Sequence, residues 1–319
     1  MYKGNCLVFA LLLCGLVIIS GCHTQLTKQE LNEMSEKIEE EYTLPYMKDG
    51  GISLGLFNLN GEIEETQSFN IQKGDSFKKI ISVGNMIDTE REYKIILFVD
   101  YKQCDFTADG QIGSEYNFKV GNHEKALIPI EINDLQEGFH DIFFIIVKYP
   151  DIKSLDEDFR MSTDMGNLLF IRFNVLVNSD TLPTFIFTKF DNATPTVFDG
   201  LLLSKEKDKL QVWLSEEAIY KDTVDFNIHV GNETYSEEQE FAVVTLLDWK
   251  QVDFYNNQEV VFFTVDNGEK IYIPASINVP NNQGINDLVS ILIHNPYEPL
   301  DIYNKDIETG IRIGINVRQ

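Results

Sequence analysis

The chain is short of cysteine, tryptophan and basic side chains. Four cysteines among 319 residues cannot staple a disulfide scaffold. Lysine and arginine number 26 against 51 aspartates and glutamates, a net charge of −25. That balance removes the cationic face that phosphate contacts need and argues against a nucleic-acid partner. It argues equally against electrostatic docking on an anionic leaflet. The apolar run at 7–19 has thirteen residues, where a membrane-spanning helix needs ~20. No H-E-x-x-H, P-loop, dinucleotide fingerprint or C-x-x-C occurs. What the chain does have is core-forming material: 43% of its residues are apolar and 12% aromatic, enough to fold.

Lys3 precedes the apolar run, and Ile19-Ser20-Gly21-Cys22 comes after it before the chain turns polar. The run has the length of a secretory h-region. The last four residues resemble the lipobox of bacterial lipoproteins. That resemblance implies cleavage after Gly21 and a diacylglyceryl group on Cys22, with palmitate-type chains. Two acyl chains anchor firmly where one does not. The expected address is the outer face of the cytoplasmic membrane, and a composition rich in Asn, Ile, Lys and Glu leans towards a Gram-positive organism. Residues 1–21 are then a signal peptide. Cys104 is the one thiol that processing leaves, and its neighbours Gln103 and Asp105 supply no base. It reads as a strand cysteine rather than a nucleophile.

Residues 22–48 form the lipid-bearing cysteine and a spacer. Thr27 and Glu30 have capping-box spacing, and Leu31, Met34, Ile38 and Tyr42 recur at helical period. Leu44-Pro45 and Asp49-Gly50-Gly51 end the pattern. A short amphipathic helix is expected, either packed on the first domain or solvated as a stalk.

The rest is duplicated. Residues 92–106 match 240–254 at six of fifteen positions, 118–132 match 263–277 at eight of fifteen, and 138–150 match 284–296 at four of thirteen. Val83-Gly84-Asn85 recurs as Val230-Gly231-Asn232, and the three blocks keep their order at offsets of 145 to 148. Each copy reads as β. Tyr93, Ile95, Leu97, Val99 and Tyr101 alternate with Lys94, Ile96, Phe98 and Asp100, giving one strongly apolar face. Strands are expected in the first copy at 52–58, 65–72, 77–84, 92–102, 115–120, 125–132, 140–149 and 167–176. The fold class is therefore all-β: two tandem immunoglobulin-like sandwiches, 49–178 and 183–319, joined by a hinge at 178–183. With a leaflet and wall polymer of like charge nearby, the body should stand off as an outward-facing rod.

In both copies, Val-Gly-Asn is followed by a long strand ending in Asp-aromatic-Lys-Gln. The residues are Asp100-Tyr101-Lys102-Gln103 and Asp248-Trp249-Lys250-Gln251. Ile128-Pro129 and Ile273-Pro274 come next, then Gly138-Phe139-His140-Asp141 and Gly284-Ile285-Asn286-Asp287. This order resembles bacterial Ig-like domains of the CARDB (cell-adhesion-related) type. The family usually places glycine after the strand-ending aspartate, where Tyr101 and Trp249 stand here. The resemblance implies a non-enzymatic surface module for adhesion or assembly.

Residues that could carry chemistry differ between copies: His123 faces Gly268, His140 faces Asn286, His294 faces Lys148 and His229 faces Ser82. No catalytic residue and no cofactor are assigned. Asp105 and Asp109 precede Gly110 at a spacing that suits a calcium loop, although the middle acidic residue of an EF-hand is missing. The Asp156-Glu157-Asp158 cluster is a similar candidate. Tyr101 and Trp249 are candidates for a sugar-stacking platform if they project beyond the core face, and core residues if they continue it. The expected function is a surface-tethered, non-catalytic binding or assembly lipoprotein. Its partner would be an envelope protein or wall polymer. The alternative is a carbohydrate- or wall-binding lipoprotein, or an accessory subunit of an envelope enzyme or transporter.

Overall fold

The computed structural model describes residues 26–41, 51–162, 168–233, 237–300 and 307–319. The lipobox residues Ile19, Ser20, Gly21 and Cys22 lie outside them. The spacer begins with helix α1 (Lys28–Glu41). Its start is the capping box: Thr27 N donates to Glu30 Oε2 at 2.7 Å, and Glu30 N donates to Thr27 Oγ1 at 3.2 Å. Met34 and Ile38 are buried against Phe57 and Ile80, with Leu127 beside them. Of the two possibilities left open for this helix, the packed one holds.

The first copy contains strands β1 (Ile52–Phe57), β2 (Ser68–Ile71), β3 (Phe77–Asn85), β4 (Arg91–Val99), β5 (Lys102–Cys104) and β6 (Phe106–Ala108). It continues with β7 (Gln111–Gly113), β8 (Glu115–Val120), β9 (Glu124–Ile132) and β10 (Gly138–Lys148), then helix α2 (Glu157–Met161) and β11 (Leu169–Val177). The second copy starts with β12 (Thr188–Lys189), β13 (Thr194–Pro195), β14 (Gly200–Ser204), β15 (Ser215–Ile219), β16 (Thr223–Asn232) and β17 (Gln239–Leu247). It ends with β18 (Lys250–Gln251), β19 (Val260–Val265), β20 (Glu269–Asn278), β21 (Gly284–His294), β22 (Ile307–Thr309) and β23 (Ile313–Arg318). All eight strands expected in the first copy are present; the short β5, β6 and β7 are additional.

Four sheets result. The first has the order β1-β3-β9-β6-β7, and the second β2-β11-β10-β4-β5 with β8 also on β4. The third is β12-β19-β17-β21-β23-β15, and the fourth β13-β20-β16-β14. In each copy an early strand pairs in parallel with the last one, β2 with β11 and β15 with β23. The remaining named pairs are antiparallel apart from the short β12–β19. The chain is all-β and immunoglobulin-like.

The sheets stack in four layers. Inward residues such as Ile81, Leu97, Ile128 and Phe144 form the core between sheets one and two. Val230, Val243, Ile273 and Leu292 do the same between sheets three and four. A third core lies between sheets two and three. There Ile96, Phe98, Phe143, Ile145 and Val147 meet Ala242, Val244, Leu246, Val289 and Ile291. Strands β4, β10, β17 and β21 are thus buried on both faces, which is why they read as nearly continuous apolar runs.

This overturns the rod. The face of β4 opposite Tyr93, Ile95 and Leu97 carries Ile96 and Phe98, and those rings and branches have to be covered. Packing the two sandwiches face to face covers them; an end-to-end rod would leave them in water. The 178–183 segment is a surface connector rather than a hinge, tied down by Phe139 N donating to Thr181 O at 3.1 Å.

Phe143 stacks on Phe98 with ring centroids 4.8 Å apart in this middle core. Phe143→Ala should lower stability by about 3–5 kcal/mol. Because the core is shared, the fluorescence of Trp213 in the second sandwich should report the shift in urea unfolding. An unmoved Trp213 transition would show that the sandwiches unfold independently.

Candidate functional site

The duplicated Asp-aromatic-Lys-Gln motif folds into matching two-residue hairpins. Val99 pairs with Lys102 across Asp100-Tyr101, and Leu247 with Lys250 across Asp248-Trp249. All four turn residues have left-handed backbone: φ is 51° and 66° in the first turn, 50° and 66° in the second. Glycine or asparagine normally occupies such turns, and a bulky residue there costs about 1–2 kcal/mol. The aromatic rings offset that strain by burial. Tyr101 is 0% exposed and Trp249 2%, both in the core between the sandwiches. As candidates for a sugar platform they are therefore corrected: neither ring offers a face to solvent.

The two turns grip each other reciprocally. Gln103 N donates to Gln251 Oε1 at 2.7 Å, and Gln251 N donates to Gln103 Oε1 at 2.8 Å. The side-chain amides repeat the exchange, Gln103 Nε2 to Trp249 O at 3.0 Å and Gln251 Nε2 to Tyr101 O at 2.8 Å. Each half of the motif satisfies backbone groups that the other leaves open, so these amides and carbonyls are paired as they leave water.

Beside each turn a buried aspartate meets arginine. Asp141 accepts from Arg172 Nε at 3.0 Å, Arg172 Nη2 at 2.6 Å and Tyr297 N at 3.1 Å, and also from the Tyr101 hydroxyl. Arg172 spends its remaining reach on the second sandwich, donating to His294 O at 2.8 Å and Asn295 O at 3.2 Å. In the second copy Asp287 accepts from Arg160 Nη1 at 3.1 Å and Lys153 Nζ at 3.2 Å. Both cations come from the first copy's segment after β10. Arg160 also donates to Arg312 O at 3.0 Å, and Arg312 Nη2 to Lys148 O at 2.9 Å. Arg312 lies 4.7 Å from the Trp249 ring centroid. Burial and the neighbouring Arg160 charge bring its pKa down to about 10, against the pull of Asp287. Burial and the adjacent Asp141 charge push the Tyr101 hydroxyl well above its usual range.

The Asp156-Glu157-Asp158 cluster turns out to start α2. Asp156 Oδ1 caps it by accepting from Phe159 N at 2.8 Å, which positions Arg160. Asp109 sits in the β6–β7 turn with φ 46°. Its carboxylate meets the Tyr116 hydroxyl at 3.5 Å, and Asp105 is exposed between β5 and β6. Among the described residues no three His, Cys, Asp or Glu side chains gather as a metal site would require. Cys104 Sγ donates to Lys102 O at 3.3 Å, and burial raises its pKa, the reverse of an activated thiol.

One buried pair has the residue types of a nucleophile and its base. Ser204 Oγ lies 2.8 Å from His229 Nε2, but Ser204 also donates to Glu206 O at 2.8 Å. The imidazole is therefore the donor, kept neutral by burial and by Lys270, which lower its pKa to about 4. This is a satisfied structural pair.

Sequence reasoning missed the arginines. Arg172 and Asp141 each interrupt an apolar strand, and a lone charge in such a run was the available signal. Arg160 and Arg312 have no duplicated partner and left no trace in the self-comparison.

The chain matches no protein-family model and no curated protein. Among solved structures it is similar to the CARDB domain of a Pyrococcus furiosus protein in complex with di-metal ions. That likeness has 12% identity and a TM-score of 0.25, over 40% of this chain and 93% of that one. It is also similar to red sea bream transglutaminase, at 8% identity and a TM-score of 0.25 over 89% of this chain. This chain spans 33% of that enzyme's length. A complex of zinc α2-glycoprotein and prolactin inducible protein from human seminal plasma gives 8% identity and a TM-score of 0.26, over 40% and 92%. None of these lends the chain an activity or a ligand.

His140 supplies a pH test. Its Nδ1 lies 2.7 Å from Asp100 Oδ2 and its Nε2 2.7 Å from Gln136 O. Both partners accept, so the geometry calls for the imidazolium. Burial opposes the charge, but the two acceptors outweigh it and raise the pKa. The resulting stability should be complete below the ordinary histidine value of about 6.5 and decline as pH rises through the elevated folded value. His140→Asn, the residue type of the second copy, should flatten the urea-midpoint profile over that window.

Proposed function

We propose that this protein is a non-catalytic binding or assembly module of the bacterial envelope, held to the outer face of the cytoplasmic membrane by a diacylglyceryl group on Cys22. The observation that carries the reading is how the chain's duplicated polar groups are used. Gln103, Gln251, Asp141 and Asp287, with Tyr101 and Trp249, all join one sandwich to the other. Chemistry that a reaction would use is consumed in building a rigid pair of sandwiches. The outward surfaces, not a pocket, are then what the molecule has to offer a partner. The likeness of its repeated motif to CARDB-type domains supports an adhesion or assembly role, with an envelope protein or wall polymer as partner.

Labelled palmitate should enter the wild-type chain and not the Cys22→Ala variant, and only the wild type should sediment with membranes after processing. Equal labelling of both would remove the anchor. Glu and Asp substitutions confined to Ile186 and Val197, both 84% exposed, should weaken capture of an envelope partner without shifting the urea midpoint.

A further inference from the structure

We propose that one corner of the first sandwich, built from Leu26, Leu59 and Ile112, rests on the lipid headgroups; this rests on the anchor at Cys22. Helix α1 is held to the body, because Met34 and Ile38 are buried against sheet one, so Leu26 has a fixed place on it. Cys22 precedes Leu26 by four peptide units, which span at most about 14 Å when extended. The lipid-bearing residue is thereby confined to the neighbourhood of Leu26.

Leu26 and Leu59 line one cleft of about 190 Å³ with Thr107, Gly110 and Pro129. Thr107 pairs with Ile112 in the β6–β7 hairpin, and directly paired residues project to the same face. That face of sheet one is the one carrying α1, since Phe106 and Ala108 point the other way into the core. Ile112 is 79% exposed and Leu59 39%. Two solvent-facing apolar side chains therefore flank the point where the tether leaves. In water both are unfavourable; at the headgroup–acyl boundary both gain.

Charge selects the posture. Lys78 lines this cleft, paired with Glu131 at 3.4 Å, and Lys28 and Lys125 line a neighbouring cleft that shares Leu26 and Asp109 with it. The outward side of α1 carries the exposed Glu30, Glu33 and Glu36, which would be pressed against anionic lipid if the helix lay flat. The corner meets the leaflet with the N-terminal end of α1, and the helix climbs away from it. This replaces the electrostatic stand-off expected from net charge alone.

The test uses chain 22–319 carrying Cys104→Ser, coupled through Cys22 to maleimide-lipid vesicles of phosphatidylglycerol and phosphatidylcholine. Ile112→Trp is compared with Val197→Trp, which lies beside sheet four. With the emission of the parent chain, which keeps Trp213 and Trp249, subtracted, brominated acyl chains should quench the added tryptophan at 112 at least about twofold, as expected for a side chain within about 5–10 Å of the boundary, and leave the one at 197 unchanged. An unquenched tryptophan at 112, or equal quenching at both positions, overturns the proposal. Chemical coupling makes the result independent of acylation in the cell: quenching at 112 without palmitate labelling would retire the anchor and leave the orientation standing.

Discussion

The middle core between sheets two and three is the constraint on which the rest depends. A β-sandwich ordinarily has two inner faces and two wet ones. Here the outer faces of β4, β10, β17 and β21 are apolar, so neither copy is complete until it meets the other. The contact is sheet against sheet and non-directional by itself. Direction comes from the glutamine exchange and from the buried aspartates, which accept only donors placed at specific points. Hydrophobic area brings the sandwiches together, and hydrogen bonds fix how they face.

The same contact explains the tolerated strain. Tyr101 and Trp249 hold left-handed backbone that glycine would adopt freely. A glycine would relax the turn and empty the space the ring fills. Trp249 also donates its indole N–H to Pro150 O at 2.9 Å, so its removal would strand a backbone carbonyl from the other sandwich. The aromatic residues at these two turns are thus coupled to the way the two domains associate.

Much of this was legible in the residues, and some was not. Strand positions and the α1 capping box came from periodicity and turn chemistry, and the duplication from the likeness of one half of the chain to the other. What escaped was the second apolar face. Ile96 and Phe98 were visible alternating with Ile95 and Leu97, yet a period-two reading assigns one face to the core and the other to solvent. The continuous run at 142–147 held the correction, because a strand apolar on both sides has to be covered on both sides. The arginines were harder: Arg160 reaches Asp287 across 127 residues of sequence, and no local pattern encodes such a distance.

The two copies have ceased to be interchangeable. Ile80 on the outer face of sheet one lies under α1, and the Val-Gly-Asn alignment places Asn227 at its counterpart on sheet four. Leu127, also beside the helix, corresponds to Tyr272, whose backbone carbonyl accepts from Asn192 at 2.7 Å. One outer sheet is greasy beneath a lid; the other is polar and partly covered by its own chain. A transposed gene, with the second copy placed first, would set α1 on a surface that cannot hold it and strip the cover from one that needs it. Duplication gave this protein its symmetry, and the helix at one end has since made the order of the halves irreversible.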